Sequence, residues 1–243
     1  MFMINLSQFS SFFVANWKLN GNLSFIKEYI HSLNQNSANA NCIVICPPAI
    51  YLSNFKGNAN NFYLGAQNIS KFEKGAFTGE ISAQSLHDFG VNFCIVGHSE
   101  RRHYFNENDE EVKEKAFKLL ENEIVPIICV GETLEQKQNN ETIKVITNQI
   151  LNGMPNQSNH KNTIIAYEPV WAIGSGLTPT IEEIDIVHKS IRNISKNINN
   201  YKIIYGGSVN SENSKDIINL SNVDGALIGG ASLKIDDFNK IIA

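Results

Sequence analysis

The stretch "NDEEVKEKAFKLLENEIVPIICVG" (108–131) decides the fold class, because it joins a helical pattern directly to a buried strand. Residues 108–122 place apolar side chains at helical spacing among charged ones. Residues 125–131 form a nearly continuous apolar run, which is typical of a parallel strand buried on both faces. Alternation of such strands with helices predicts right-handed crossovers and a parallel sheet.

The same alternation recurs along the whole chain. Helical spacing is clear again in residues 181–195, with an apolar stripe formed by Ile184, Val187, His188, Ile191 and Ile194. The predicted strands are "FFVANW" (12–17), "CIVIC" (42–46), "FYLGAQ" (62–67), "FCIVG" (93–97), "VPIICVG" (125–131), "TIIAYE" (163–168), "KIIYGG" (202–207) and "GALIGG" (225–230). Eight units in 243 residues predict a single domain, residues 1–243, built as a closed eight-stranded parallel (β/α) barrel. The alternative is a doubly wound open sheet.

Composition and charge narrow the possible partners. A net charge of −4 provides no attraction to nucleic acid or to an anionic membrane. The start of the chain lacks the basic region of a signal peptide, and no run approaches the ~18 apolar residues of a membrane span. The four cysteines lie in apolar runs, and they and the six histidines show no metal-ligand spacing. We expect a cytoplasmic protein with reduced, buried thiols, no metal, no nucleic-acid partner and no membrane partner.

Polar residues follow the predicted strands at the end where barrel enzymes carry their active sites. They are Asn16 and Lys18 after the first strand, His98 and Glu100 after the fourth, and Glu168 at the end of the sixth. Each has an ordinary alternative role, such as a surface lysine, a helix cap or the partner of an arginine at the barrel rim. Together they favour acid–base catalysis without a cofactor, because a carboxylate that a loop shields from water is suited to removing a proton next to a carbonyl.

Glycines end the seventh and eighth predicted strands, at 206–207 and 229–230. Glycine lets backbone N–H groups approach an oxyanion closely, and barrel phosphate sites commonly use the loops after these two strands. Tight turns alone would also explain each cluster, but the pair favours a phosphate cradle. Cys129 has no identifiable partner base, so we expect it to pack rather than to act as a nucleophile.

Seven motifs, in this order, match one family. They are "NWKLNG" (16–21), "GAFTGE" (75–80), "GHSERR" (97–102), "CVGE" (129–132), "YEPVWAIGSG" (167–176), "YGGSV" (205–209) and "DGALIGGASL" (224–233). Through them the chain resembles the triosephosphate isomerases over essentially its whole length. The resemblance implies a (β/α) barrel and an isomerase of glycolysis and gluconeogenesis. That enzyme interconverts dihydroxyacetone phosphate and D-glyceraldehyde 3-phosphate through an enediolate.

The resemblance also implies a role for each site residue. Glu168 is the base, His98 polarises the carbonyl, Asn16 and Lys18 line the substrate site, and Glu100 and Cys129 are supporting residues. Backbone N–H groups at four positions hold the phosphate, namely Gly174, Ser208, Gly229 and Gly230. A lid closes over the site, formed by Pro169, Val170, Trp171, Ala172, Ile173, Gly174, Ser175, Gly176, Leu177, Thr178 and Pro179. The partners are a small phosphorylated triose and a second copy of the chain, bound through the loop at 67–80.

Three features depart from the commonest pattern of the family. The far hinge of the lid, usually Lys-Thr-Ala, is Leu177, Thr178 and Pro179 here; Asn106 replaces a common glycine; and a few residues precede the first strand. Thr180 and Glu183 have capping-box spacing, which predicts a helix that starts at Thr180. Pro179 would then restrict the conformations that the open lid samples.

Two other functions compete with this interpretation. One is another phosphate-binding barrel isomerase or an aldolase, although Lys18 is the only lysine at the catalytic end for a Schiff base. The other is a non-catalytic binding protein on the same fold. The intact set of Asn16, Lys18, His98 and Glu168 argues against the latter.

Overall fold

Eight parallel strands close into a barrel, in which each strand pairs with its neighbours in the chain and the last pairs with the first. The computed structural model describes residues 3–35, 41–57, 61–173, 177–195 and 197–243, without the side chains of 34 and 35. The strands are β1 (Phe12–Asn16), β2 (Cys42–Cys46), β3 (Tyr63–Ala66), β4 (Phe93–Val96), β5 (Val125–Val130), β6 (Ile164–Tyr167), β7 (Lys202–Tyr205) and β8 (Gly225–Ile228). The predicted barrel is confirmed, and the open-sheet alternative is wrong.

Helices fill the connections between the strands. They are α1 (Leu23–Gln35), α2 (Leu52–Phe55), α3 (Ala83–Phe89), α4 (Ser99–Tyr104), α5 (Asp109–Glu121), α6 (Leu134–Gln138), α7 (Thr142–Gly153), α8 (Ile181–Arg192), α9 (Ser214–Ile218) and α10 (Ile235–Ile242). The helix predicted at 181–195 ends three residues early, because Asn193 and Ser195 favour turns over helix. No helix in the described ranges has the length and apolar character needed to cross a membrane.

Alternation along each strand divides the core into two layers. Phe12 and Val14 of β1 point into the barrel, whereas Phe13 and Ala15 pack outward against the helices. The predicted stripe of α8 faces this outer layer, and its His188 is fully buried. Burial lowers the pKa of His188 to about 3, so its imidazole is neutral.

The residues before β1 close the end of the barrel opposite the strand ends that carry the polar residues. Leu6 is fully buried in the inner layer, and its N–H donates to the Lys161 carbonyl at 3.1 Å. The Phe9 ring packs edge-on against Phe12 and Tyr63, with 5.7 Å between ring centroids in each pair. The extra N-terminal residues therefore contribute to the core.

We predict that Leu6→Ala lowers the free energy of unfolding by about 2–5 kcal/mol, because it leaves a cavity at the base of the barrel. Urea denaturation followed by circular dichroism measures the change. Leu151→Ala is the control, since Leu151 is largely exposed on α7. Equal stability of the Leu6→Ala and Leu151→Ala proteins would contradict a structural role for the N-terminal residues.

Candidate active site

The carboxyl ends of the strands surround one cavity of about 580 Å³. The predicted site residues that line it are Asn16, Lys18, His98, Glu100, Glu168, Ser208, Gly229 and Gly230, together with Ile173 of the lid. Gly206 and Gly207 also contribute to its wall. The structure thus brings together residues from five strand ends that are far apart in the sequence.

Glu168 follows β6 directly and is held by two hydrogen bonds. Its N–H donates to the Val130 carbonyl at 2.7 Å, and its Oε2 accepts the Ser99 N–H at 2.9 Å. Glycines flank it on the neighbouring strands. A Cβ on Gly131 would lie 1.7 Å from the Glu168 carbonyl oxygen, and one on Gly206 would lie 2.8 Å from its Cγ. These two positions therefore need glycine for Glu168 to sit where it does.

The other oxygen of this carboxylate is available for chemistry. Oε1 of Glu168 is buried and has no hydrogen-bond partner among the residues that the structure describes. The His98 Nε2 lies 3.1 Å from it, close but without the alignment of a hydrogen bond. A buried carboxylate oxygen without a partner beside an imidazole is suited to accept a proton from a bound substrate.

His98 is the N-cap residue of α4. Its Nδ1 accepts the Glu100 N–H at 3.2 Å, so the proton of the neutral ring resides on Nε2. This assignment follows from the hydrogen bond. The Nε2–H group therefore faces the cavity and the carboxylate of Glu168, where it can donate to a substrate oxygen.

Lys18 has a left-handed backbone conformation, with φ of 53°, which is uncommon for a residue other than glycine. Its N–H donates to Asn16 Oδ1 at 3.2 Å, and its carbonyl accepts from Gln67 Nε2 at 2.9 Å. Its ammonium reaches Glu100 Oε1 at 2.5 Å. Asn16 and Gln67 thus hold the backbone of Lys18 while Glu100 holds its charge.

Gln67 was missed as a site residue, although a polar residue at the end of the third predicted strand was the signal that could have found it. Glu107 was also missed. It accepts from the Gly97 N–H at 3.0 Å, Arg101 Nε at 2.7 Å and Lys115 Nζ at 2.5 Å. Burial would raise the pKa of Glu107, but the hydrogen bonds from Lys115 and Arg101 outweigh burial and lower it. This network fixes the loop that carries His98.

Cys129 lies inside the barrel next to Glu168. Burial raises the pKa of its thiol well above the ordinary value, and the nearby Glu168 charge raises it further. The group is therefore a thiol rather than a nucleophilic thiolate. Like Cys42, Cys46 and Cys94, it is buried and free.

The predicted phosphate cradle lies beside Lys18. A Cβ on Gly229 would be 3.5 Å from Lys18 Cε, so the lysine stem covers this glycine. Gly230 begins a short 3₁₀ turn that ends at Leu233. The Ser208 hydroxyl donates to the Ala172 carbonyl of the lid at 2.9 Å. Gly174, the remaining predicted phosphate ligand, lies outside the described residues.

Among the described residues of the lid, Ile173 lines the cavity. Pro169 precedes a 3₁₀ turn formed by residues 170–172, while Gly174, Ser175 and Gly176 lie outside the described residues. Leu177 and Thr178 are exposed and Pro179 is buried. The capping box of Thr180 and Glu183 is present, which confirms the predicted start of α8.

The substitution at Asn106 has a simple structural reason. Its φ is 53°, a left-handed conformation that glycine adopts freely. Asparagine tolerates this conformation better than most other residues, so the replacement keeps the turn after α4.

A closed parallel barrel with a carboxylate, an imidazole and an ammonium around a glycine cradle defines a barrel enzyme for acid–base chemistry on an anionic substrate. The family model described as "Triosephosphate isomerase" matches residues 11–243. A triosephosphate isomerase of Francisella philomiragia subsp. philomiragia is 42% identical over 240 residues, with 94% of each chain covered. One of Mesomycoplasma hyorhinis is 44% identical over 236 residues, covering 94% of this chain and 96% of its own.

The chain belongs to the triosephosphate isomerase family. This membership confirms the family and the isomerase class that the motifs predicted.

We predict that Glu107→Gln lowers the free energy of unfolding by about 3 kcal/mol at pH 7, because it leaves Lys115 buried without a counter-charge. The pKa of Glu107 is lowered on folding, so its charge stabilises the protein above the ordinary pKa. The difference from the unsubstituted protein should therefore narrow as the pH falls below about 4.

Urea denaturation between pH 3 and pH 8 measures this difference. Glu111→Gln is the matched control, since Glu111 forms a partly exposed ion pair with Lys71. It should change stability far less, because exposed pairs contribute little. Equal effects of the two substitutions would show that the Glu107 network does not stabilise the loop.

Proposed function

We propose that this protein interconverts dihydroxyacetone phosphate and D-glyceraldehyde 3-phosphate, with Glu168 as the base. The observation that carries the proposal is the buried, unpartnered Oε1 of Glu168 beside the Nε2–H group of His98, within the described site. Triosephosphate isomerases are the established example of enzymes that use a neutral imidazole as an electrophile. The Nε2–H tautomer of His98 agrees with that chemistry.

The reaction is a proton transfer between two neighbouring carbons. Glu168 removes a proton from C1, and the electrons of the C–H bond form a C1–C2 double bond while the C2 oxygen becomes negative. The His98 Nε2–H group stabilises that oxygen and transfers a proton to it, then takes the hydroxyl proton from the C1 oxygen. Protonated Glu168 returns its proton to C2, which yields the aldehyde. No metal or covalent intermediate is required.

The remaining residues bind the substrate or hold the reacting residues in place. The Lys18 ammonium, held by Glu100, balances the charge of the enediolate and the phosphate, and Asn16 fixes the Lys18 backbone. Cys129 packs behind Glu168.

The phosphate is bound outside the reacting carbons. Backbone N–H groups of Gly174, Ser208, Gly229 and Gly230 hold it, and the lid, Pro169 to Pro179, closes over it. Closure excludes water and protects the enediolate from losing phosphate.

The whole chain, residues 1–243, serves as one barrel domain that acts in the cytoplasm, in glycolysis and gluconeogenesis. Its partners are the triose phosphate and a second copy of itself.

Two copies of the chain associate through the loop at 67–80. Phe72 and Phe77 stack on each other in this loop at a centroid distance of 3.7 Å, yet 42% and 39% of their surfaces remain exposed. A groove of about 250 Å³ runs beside Lys18, and Leu19 at its edge is 95% exposed. Insertion of the loop of one copy into this groove of the other would cover both surfaces.

We predict that Glu168→Gln lowers kcat by about 10²–10⁴-fold, because the amide cannot accept the proton. A coupled assay with glyceraldehyde 3-phosphate measures turnover, and circular dichroism verifies the fold. Glu182→Gln, on the exposed side of α8, is the control and should keep normal turnover. Near-normal turnover of a folded Glu168→Gln protein would rule out this mechanism.

We predict that the protein sediments as a dimer of twice its 27.1 kDa chain mass. Phe77→Glu should shift it towards the monomer and reduce kcat, because a charge is placed in the interface next to Lys18. Leu151→Glu introduces the same charge on α7, away from the loop, and should remain dimeric. A stable, fully active monomer of the unsubstituted chain would refute the proposed dimer.

A further inference from the structure

One lysine contacts both the first part of the lid and the helix that follows the lid. Lys137 lies in α6, and its Nζ is 3.6 Å from the centroid of the Trp171 ring, near the start of the lid. The same Nζ lies 3.0 Å from Glu183 Oε1 in the first turn of α8, the helix that follows the lid. A single ammonium group thus connects the start of the lid to the helix after it.

Trp171 is held at its edge as well as on its face. Its indole Nε1–H donates to Glu132 Oε1 at 2.9 Å, and the Tyr167 hydroxyl donates to the same oxygen at 3.3 Å. The backbone before Trp171 is also bonded to Glu132, because the Val170 N–H donates to the Glu132 carbonyl at 3.1 Å. Glu132 is itself almost fully buried. The anchor for the edge of the indole is therefore rigid, whereas the contact on its face comes from a partly exposed lysine.

We propose that Lys137 is a positioning residue for the lid. It stabilises the conformation in which Trp171 is bonded to Glu132, and the lid gives up the contact between Lys137 and Trp171 when it closes over the phosphate. This inference rests on the proposed function, since it requires a lid that closes on a phosphorylated ligand.

The consequence follows from linked equilibria. A ligand that binds only the closed lid has an apparent Kd equal to its intrinsic Kd divided by the closed fraction. A contact that exists only while the lid is open reduces the closed fraction. An exposed cation–π contact changes such an equilibrium by about two- to fivefold. Removing it should tighten ligand binding by that factor, although the residue never touches the ligand.

The test compares Lys137→Met with Lys137→Arg. Methionine keeps most of the aliphatic volume and loses the charge, whereas arginine keeps the cation and can stack on the indole. The probe is phosphoglycolate, whose carboxylate resembles the enediolate, and its Kd is measured by calorimetry. We expect Lys137→Met to lower the Kd about two- to fivefold and Lys137→Arg to restore the original value. Lys144→Met is the control, because Lys144 of α7 also forms an ion pair, with Glu141, but lies outside the lid.

A second variant distinguishes the effect of the Lys137–Glu183 ion pair from the effect of the helix cap. Glu183 accepts the Thr180 N–H at 2.8 Å through Oε2 and pairs with Lys137 through Oε1. Glu183→Gln keeps the capping box, since glutamine also forms one, but removes the charge that holds Lys137. It should change the Kd in the same direction as Lys137→Met and by a smaller factor.

A spectroscopic measurement reports on the lid directly. The chain has two tryptophans, so 5-fluorotryptophan gives two ¹⁹F resonances, of which Trp17 belongs to the buried core. Lys137→Met should shift the Trp171 resonance and speed its exchange with the ligand-bound position, while that of Trp17 stays unchanged.

An unchanged or weaker affinity in Lys137→Met, or an equal gain in Lys144→Met, would overturn the proposal. The proposed function is tested separately: failure of the unsubstituted protein to bind phosphoglycolate would count against it, whereas the Lys137 proposal depends on the ratio between variants.

Discussion

The position of Glu168 between β5 and β7 is the constraint on which the site depends. Its backbone N–H is bonded to β5, and the Gly206 N–H donates to the Tyr167 carbonyl at 2.7 Å. A side chain at position 131 or 206 would clash with Glu168. Glycine at both positions therefore lets the neighbouring backbones come close enough to form these hydrogen bonds. The Ser99 N–H then orients the carboxylate towards His98. The register of β5, β6 and β7 therefore sets the position of Glu168, while the loop after β4 places His98 beside it.

The site contains a backbone conformation that is locally unfavourable, and the surrounding hydrogen bonds maintain it. A residue other than glycine in a left-handed conformation costs on the order of 1 kcal/mol or more, and Lys18 adopts one next to the substrate cavity. Asn16 and Gln67 bond both its N–H and its carbonyl, so the backbone has no alternative that keeps these bonds. The Glu107 network likewise holds the backbone before His98, because Glu107 accepts the Gly97 N–H. Rigid support of this kind reduces the reorganisation needed during proton transfer.

Periodicity predicted the barrel because parallel strands buried on both faces leave a strong apolar signal, and all eight strands lie where the apolar runs placed them. The residues proposed to react were selected for a related reason: polar residues at the ends of such strands have few structural roles, and the structure places them around one cavity. Glu107 left no such signal, since it is one carboxylate in a polar run and only the fold buries it against Lys115. Lys137 was equally hidden, because its contact with Trp171 joins residues far apart in sequence on two different connections.

The two ends of the proposed lid differ in how they would restrict its movement. At the second end Pro179 is buried directly before the Thr180 cap, and its ring fixes φ while biasing Thr178 towards extended geometry. Little rotation is therefore available there beyond Leu177 and Thr178. At the first end the restriction is a set of breakable contacts on Trp171, shared between Glu132 and Lys137. A stiff second end leaves the balance between lid positions to the first, so the strength of the contacts on one indole should govern how readily this lid closes.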